Sequence, residues 1–169
     1  AGSLGTAPTL QRTLAIPSSA SLTIDRSATA ANSYVYINTS SGILYNEGSI
    51  TFTNSSNVAY TISLESPTAG GAIKNYGGTI YVNMGSASST SAYVSNASVI
   101  LTNINGTIKT DNADITSTKS IWKQSVTASI SGTSYLDQGV RLESTNTLSG
   151  YILARTGAAT DTPTLNLLT

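Results

Sequence analysis

The side chains available for chemistry in this 169-residue chain are hydroxyls, amides, eight carboxylates and eight cations, because the sequence has neither histidine nor cysteine. Serine and threonine together make up nearly a third of the residues. This composition excludes Cys/His zinc sites, histidine-based triads, thiol nucleophiles and disulfides. We therefore expect a protein that is not an enzyme and that has no cofactor or metal.

Three groupings of polar residues are candidates for a catalytic or metal site. Ser120 and Lys123 have the Ser-x-x-Lys spacing of serine acylases, but that chemistry needs a helix and the surrounding pattern predicts a strand. Asp25 and Asp137 would form a glycosidase pair only if the fold brought them together. The segment 111–114 carries two aspartates without the other ligands of an EF-hand, so it is interpreted as a turn.

Modification chemistry is better represented. Four Asn-x-Ser/Thr sequons lie at predicted strand ends or turns, where a glycan reaches solvent. We expect N-glycans on at least two of them, although a chain this rich in Asn, Ser and Thr also forms sequons by chance. The four are Asn38, Asn54, Asn96 and Asn105. Lys74, Lys109 and Lys123 are candidates for an isopeptide crosslink, which requires a buried lysine beside an Asn or Asp.

The charge content limits the possible partners. Charged residues make up 9% of the chain, against roughly 25% in an average soluble protein, and the net charge is zero. Nucleic-acid binding requires many cations on one face, so it is not expected. Hydrophobic residues reach 39%, which is enough to form a core. No apolar run is long enough to span a membrane.

The elements that must position these residues are predicted to be strands. Apolar and polar residues alternate, and Gly, Asn, Ser and Pro interrupt the pattern every 8 to 12 residues or so, which is typical of an all-β domain. Residues 58–65 and 121–130 give the longest alternating series. Asn46-Glu-Gly48, Gly77-Gly78 and Asn105-Gly106 are turn signals. The predicted fold is an immunoglobulin-like or pilin-like β-sandwich, similar to a jelly roll, with no internal sequence repeat.

The first 18 residues differ from the rest. Pro8 and Pro17 bracket an extended segment, and its large apolar side chains share one face: Leu4, Leu10, Leu14 and Ile16. We predict a tail at residues 1–18 and a β-sandwich at residues 19–169. The tail is interpreted as a strand that fills a groove in a neighbouring subunit. The alternatives are a first strand of the chain's own sheet and a disordered leader. Because the chain starts AGSLG without Met, we expect a secreted product whose signal peptide has been removed.

With its AGSLGTAPTLQRTLAIPSS start, cysteine-free Ser/Thr/Asn-rich body and sequons, the chain resembles the archaeal, Sulfolobus-type thread filament subunits. The resemblance implies a glycosylated extracellular filament, built head to tail from identical subunits by donor-strand complementation, with a role in adhesion or biofilm. It also implies that the donor strand runs from about Thr6 to Ile16, anchored by Leu4, Leu10, Leu14 and Ile16.

Two other classes remain open from the residues. One is a secreted adhesin or carbohydrate-binding β-sandwich that acts as a monomer, and the other is a viral or S-layer-like shell protein. A filament subunit should hold its tail outside its own domain. A monomeric binding module should instead show an exposed aromatic platform and a tail folded into its own sheet.

Overall fold

The fold is described from a computed structural model. The described residues are 13–25, 33–36, 42–54, 61–66, 71–83, 93–96, 98–111, 121–137, 139–142, 146–149 and 151–155. They form seventeen β-strands arranged in three sheets.

Sheet 1 has six strands, in the order β1-β4-β7-β10-β13-β16. Their bounds are β1 Thr13–Ile16, β4 Ile43–Asn46, β7 Ala72–Tyr76, β10 Ile100–Ile104, β13 Ala128–Ser131 and β16 Asn146–Leu148.

Sheet 2 also has six strands, in the order β17-β14-β11-β8-β5-β2. Their bounds are β2 Ser21–Asp25, β5 Ser49–Thr53, β8 Thr79–Asn83, β11 Thr107–Thr110, β14 Thr133–Asp137 and β17 Tyr151–Arg155.

Sheet 3 has five strands, in the order β15-β12-β9-β6-β3. Their bounds are β3 Ser33–Tyr36, β6 Ile62–Glu65, β9 Tyr93–Asn96, β12 Ile121–Gln124 and β15 Val140–Leu142.

The chain visits the three sheets in a fixed cycle, from sheet 1 to sheet 2 to sheet 3 and back to sheet 1. Every pairing between described strands is parallel. Thr79 pairs with Thr107, 28 positions later, whereas Thr133 pairs with Tyr151, 18 positions later, so the last coil is shorter. The described strands therefore stack as successive coils of a parallel β-solenoid.

The prediction of an all-β fold is confirmed. The strand arrangement differs from the predicted sandwich, because immunoglobulin-like and jelly-roll folds are built from antiparallel sheets and these strands are all parallel. Parallel neighbours need a long crossover, and here the other two sides of the coil provide it. The structure nevertheless repeats, because each coil returns the chain to the same three sheets in the same order.

Alternation within each strand builds the interior. Ile50 and Phe52 of β5, Ile80 and Val82 of β8 and Ile108 of β11 point inward and are fully or almost fully buried. Side chains from all three sheets meet in one hydrophobic cluster. Phe52 and Trp122 contact each other there, with ring centroids 5.7 Å apart.

The predicted boundary at residue 18 falls inside the first coil. β1 lies in the predicted tail and β2 in the predicted body, and the two are joined by a tight turn in which Ala20 N donates to Pro17 O at 2.8 Å. Thr13 pairs with Ile43 of the same chain and Leu14 with Leu44. Residues 13–16 are therefore a strand of the chain's own sheet, and residues 1–12 lie outside the described part.

Candidate functional site

An interior ladder of amides follows the corner between sheet 1 and sheet 2. Asn46 Nδ2 donates to Asn75 Oδ1 at 2.7 Å, and Asn75 Nδ2 donates to Asn103 Oδ1 at 2.6 Å. The ladder ends where Asn103 Nδ2 donates to Ser134 Oγ at 3.1 Å. All three asparagines are buried, and buried amides need hydrogen-bond partners. The ladder gives a partner to each Nδ2 and to two of the three amide oxygens, whereas Asn46 Oδ1 has none among the described residues. The ladder is an internal brace and presents nothing to a ligand.

The glycines that follow Asn75 and Asn103, Gly78 and Gly106, leave space for the amides of the ladder. A Cβ on Gly78 would collide with the amides of Asn46 and Asn75, and one on Gly106 would collide with those of Asn75 and Asn103. Asn105 takes a left-handed conformation with φ 54°, as Gly77 does one coil earlier. The turn signals in the sequence therefore mark the corners at which the chain passes from sheet 1 to sheet 2, and they do not mark hairpins.

A second buried polar group surrounds Gln124. Its Oε1 accepts from Asn96 Nδ2 at 2.8 Å and from Trp122 Nε1 at 3.2 Å, and its Nε2 donates to Val99 O at 3.0 Å. Asn96 Oδ1 accepts from Val99 N at 2.9 Å. These amides join sheet 3 to the corner that leads into sheet 1, and they are also internal.

Aromatic and charged side chains gather on the outer face of sheet 2 in a group that we call the sheet 2 cluster: Tyr81, Lys109, Asp111 and Tyr135. Lys109 pairs with Tyr81 in register, and its Nζ lies 4.9 Å from the Tyr81 ring centroid. The Tyr81 hydroxyl donates to Asp111 Oδ1. Tyr135 is 36% exposed and lies one strand further along, because it pairs with Thr107.

Burial, and then the hydrogen bond to Asp111, raise the pKa of Tyr81 to about 12. The phenol is therefore neutral at physiological pH and acts as a donor. The cluster therefore brings an aromatic ring, a cation and a carboxylate together on one face of the sheet, with the cation over the ring.

A different surface, which we call the sheet 1 outer face, consists of the outward side chains of β4, β7 and β10. Tyr45 and Tyr76 stack on it with ring centroids 5.2 Å apart and an interplanar angle of 23°. Ile100 is 44% exposed. The Tyr45 hydroxyl donates to Glu47 at 2.8 Å. This bond is the main cause of the raised pKa of Tyr45.

The third surface is the first-coil end of the solenoid, formed by β1, β2 and β3. Leu14 occupies the inward column of sheet 1 and pairs with the buried Leu44, yet it is 41% exposed. Leu22 and Ile24 of β2 are only partly buried against the same core. In the described part of the chain no strand pairs with the outer edges of β1, β2 and β3.

The predicted glycosylation sites fall in contrasting places. Asn105 is exposed at its corner, where its Oδ1 accepts from Thr133 N at 2.8 Å. Asn96 is fully buried and Asn54 is 4% exposed, so neither amide offers room for a glycan in the folded chain. Asn38 lies outside the described residues.

The predicted donor-strand anchors are also separated. Ile16 is buried in the chain's own core and Leu14 lies at the first-coil end. Leu4 and Leu10 lie outside the described residues. The neighbour-supplied strand is therefore at odds with residues 13–16, which pair with β4 of the same chain.

Two of the catalytic and crosslinking alternatives can be examined in the described residues, whereas Ser120 and residues 112–114 lie outside them. Asp25 in β2 and Asp137 in β14 are four strand spacings apart in sheet 2, or about 19 Å, too far for a glycosidase pair. An isopeptide bond requires a buried lysine. None of the three candidates is buried: Lys74, Lys109 and Lys123. Within the described ranges, no group of three His, Cys, Asp or Glu side chains could hold a metal ion.

The sequence pattern does not predict the interior amides. Gln124 lies in the alternating series 121–130 and is fully buried although it is polar. The recurrence of Asn two or three residues before a corner Gly, at Asn46, Asn75 and Asn103, was the signal that could have revealed the ladder.

Comparisons with known proteins found no matching family model, no matching curated protein and no matching solved structure. Among the residues that the structure describes, no helix has the length and apolar character needed to cross a membrane.

Proposed function

We propose that this protein is a structural subunit of an extracellular filament and that the subunits join end to end through their terminal coils. The observation that carries the proposal is the first-coil end, where Leu14 lies in an inward core column and is 41% exposed. A core column that ends in an exposed leucine is suited to continue into another molecule.

The strand edges support the same joint. Among the described strands, β1, β2 and β3 lie at one edge of the three sheets, and β15, β16 and β17 lie at the other. Edge strands carry unpaired N–H and C=O groups that pair readily with another chain. All strands run in the same direction, so the last coil of one copy can add to the first coil of the next in parallel. Such a head-to-tail contact does not close on itself and so propagates.

This proposal keeps the filament expected from the sequence and changes its joint. The predicted donor strand, from about Thr6 to Ile16, is reduced to the residues before 13, because 13–16 pair within the chain. An extracellular location, a role in adhesion and similarity to archaeal thread subunits remain part of the proposal. A glycan on Asn105 would hydrate a chain that has few charges.

The test is a charge placed at the first-coil end. Leu14→Lys puts an ammonium group in the inward column at the joint. Thr13→Lys adds the same charge one residue earlier, on the opposite face of β1, and is the matched control. We expect the wild-type chain and Thr13→Lys to form filaments by electron microscopy and light scattering, and Leu14→Lys to form none. A wild-type chain that stays monomeric at high concentration would contradict the proposal.

The second candidate is a monomeric carbohydrate-binding module, and the sheet 2 cluster favours it. Tyr135 offers an exposed ring, with Lys109 and the Tyr81–Asp111 pair beside it. The pairing of β1 within its own chain also fits the expectation for such a module. Binding to a polysaccharide panel that is lost in Tyr135→Ala, by a wild-type chain that forms no filaments, would favour this candidate.

A further inference from the structure

We propose that residues 164–168 of the same chain dock on the outer edge of β15 as a sixth strand of sheet 3. The described strands number six in sheet 1, six in sheet 2 and five in sheet 3. They therefore leave one position open in the sixth coil, beside β15. Because the proposed occupant belongs to the same chain, this docking does not depend on the end-to-end joint.

The path of the chain identifies the occupant. In each of the first five coils the chain passes from a strand of sheet 2 to a strand of sheet 3, as it does from β14 to β15. β17 is the last described strand and lies in sheet 2. Crossovers between parallel strands keep one hand, so the same path leads from β17 to the open position beside β15.

The lengths of the connections place the strand at residues 164–168. The first four connections from sheet 2 to sheet 3 have seven to ten residues, and the fifth, between β14 and β15, has two. Residues 156–163 match the longer group. Pro163 fixes φ where such a connection ends. The next residues read Thr-Leu-Asn-Leu-Leu, and their first four positions alternate as in a half-buried strand.

The burial of β15 is the independent observation. Val140 is 2% exposed and Leu142 is fully buried, although no described strand lies beyond them in sheet 3. At the opposite end of the solenoid, Leu14 in the inward column of β1 is 41% exposed. A strand that continues the columns of sheet 3 puts Leu165 opposite Val140 and Leu167 opposite Leu142. Solenoids need such a cover on a terminal coil, because an uncovered coil exposes its core.

The sixth strand also prepares the end-to-end joint, and this step rests on the proposed function. With it, all three sheets reach the sixth coil, so β1, β2 and β3 of the next copy each meet a strand edge at the same level. Without it, β3 of the next copy lies two strand spacings, or about 10 Å, from β15. That separation is too large for backbone hydrogen bonds.

Cysteine pairs test the docking directly, because the chain has no cysteine of its own. Arg141→Cys with Asn166→Cys puts two thiols opposite each other on the outer face, about 4.8 Å apart between Cα atoms, which a disulfide can bridge. Arg141→Cys with Leu168→Cys is the matched control, since the second thiol is displaced by two residues to about 8 Å. Both pairs are made in the full chain carrying Leu14→Lys, which blocks the proposed joint.

We expect mild oxidation to close a disulfide within one chain for the first pair and to leave the control pair reduced, as read by non-reducing electrophoresis and peptide mass mapping. In urea the two pairs should oxidise at similar rates, because the fold no longer selects between them. The proposal is overturned if the first pair stays reduced in the folded chain or if both pairs oxidise equally there. A disulfide that joins two chains also overturns it and assigns the position to another copy.

Aspartate substitutions measure the cover. Leu167→Asp puts a carboxylate in the inward column beside Leu142, where burial of a charge is costly, so the urea midpoint of unfolding should fall. Asn166→Asp puts the same charge on the outer face and is the matched control, with an unchanged midpoint. Equal midpoints for the two variants would overturn the docking of residues 164–168.

Filament assays separate this inference from the proposed function. If the wild-type chain forms filaments, Leu167→Asp should abolish them and Asn166→Asp should keep them. Filaments that persist in Leu167→Asp would overturn the part of the sixth strand in the joint. If the wild-type chain forms none while the disulfide closes within one chain, the end-to-end joint fails and the sixth strand stands.

Discussion

Asn75 Nδ2 donates to Asn103 Oδ1 at 2.6 Å inside the core, across two neighbouring coils. The same Nδ2 also donates to Gly78 O at 3.0 Å, so one amide connects its own corner to the next coil. Each amide in the ladder donates toward the C-terminal side, and successive amides therefore polarise one another. The ladder fixes the register between coils. Alternating aliphatic side chains exclude a slip of one residue, which would turn the core face outward, but they distinguish a slip of two residues poorly.

Asn75→Leu should destabilise the fold strongly. It leaves Asn103 Oδ1 without its donor in the interior, whereas Asn46 Nδ2 keeps its longer bonds to Gly48 O and Thr79 O. An unsatisfied buried group costs about 1–3 kcal/mol, and we expect the free energy of unfolding in urea to fall by that amount. Thr102→Ala, an outward position on β10, is the control and should change it by less than about 0.5 kcal/mol. A loss below about 1 kcal/mol for Asn75→Leu would show that the ladder is dispensable.

Two glycines at equivalent corners of neighbouring coils, Gly77 between β7 and β8 and Gly106 between β10 and β11, should respond differently to substitution. Gly106→Ala introduces a Cβ that collides with Asn75 and Asn103, so overpacking should cost about 1–3 kcal/mol. Gly77→Ala meets open space but must hold φ at +68°, which costs about 1–2 kcal/mol through backbone strain alone.

Asparagine separates these two causes. Gly77→Asn should recover most of the loss of Gly77→Ala, because Asn105 adopts the equivalent left-handed conformation in the next coil. Gly106→Asn should be no better than Gly106→Ala, because the clash remains. Thermal denaturation of the four variants measures the difference, and equal recovery at both positions would refute the steric account.

Alkaline titration should single out Tyr81. Its pKa is raised to about 12 from the ordinary value of 10.0, so the folded chain holds this proton more tightly than the unfolded chain does. Its contribution to stability is complete below pH 10 and disappears as the pH rises through about 12. Phenolate absorbance should show a late step that Tyr81→Phe removes and that Asp111→Asn shifts to lower pH. Tyr135→Phe should leave the step in place.

The strand content of the fold could be predicted from alternation, but its path could not. The alternating series at residues 121–130 predicts one strand, since Trp122, Gln124, Ala128 and Ile130 keep a single parity, and all four are buried. The chain in fact turns a corner at residues 125–127 and enters another sheet. The corner preserves the inward parity, so period-two alternation cannot distinguish a straight strand from a bent one.

The exposed surfaces were harder to predict than the strands. Tyr81 and Asp111 lie 30 positions apart in sequence and meet only because one coil takes about that length. The length of the loops differs between coils, which hides the repeat from a search at fixed spacing. Ile100 and Tyr76 have the residue types of a core, and only their outward parity in a closed solenoid places them on the surface.

Glycan occupancy should follow the fold and not the sequon count. Asn105 is exposed, and its Oδ1 accepts from Thr133 N; a glycan on Nδ2 leaves that acceptor in place. Asn96 Nδ2 donates to Gln124 Oε1 at 2.8 Å in the interior, where a sugar would expel the side chain from the core. We expect intact mass and glycopeptide analysis of protein from its native source to show a glycan on Asn105 and none on Asn96.

Thr107→Ala removes the sequon while keeping Asn105 at its corner, and should abolish the glycan with little loss of stability. Asn96→Gln should leave the glycan mass unchanged and destabilise the fold, because a longer amide cannot accept from Val99 N in the same geometry. A glycan found on Asn96 in folded protein would contradict the burial of the Asn96 side chain.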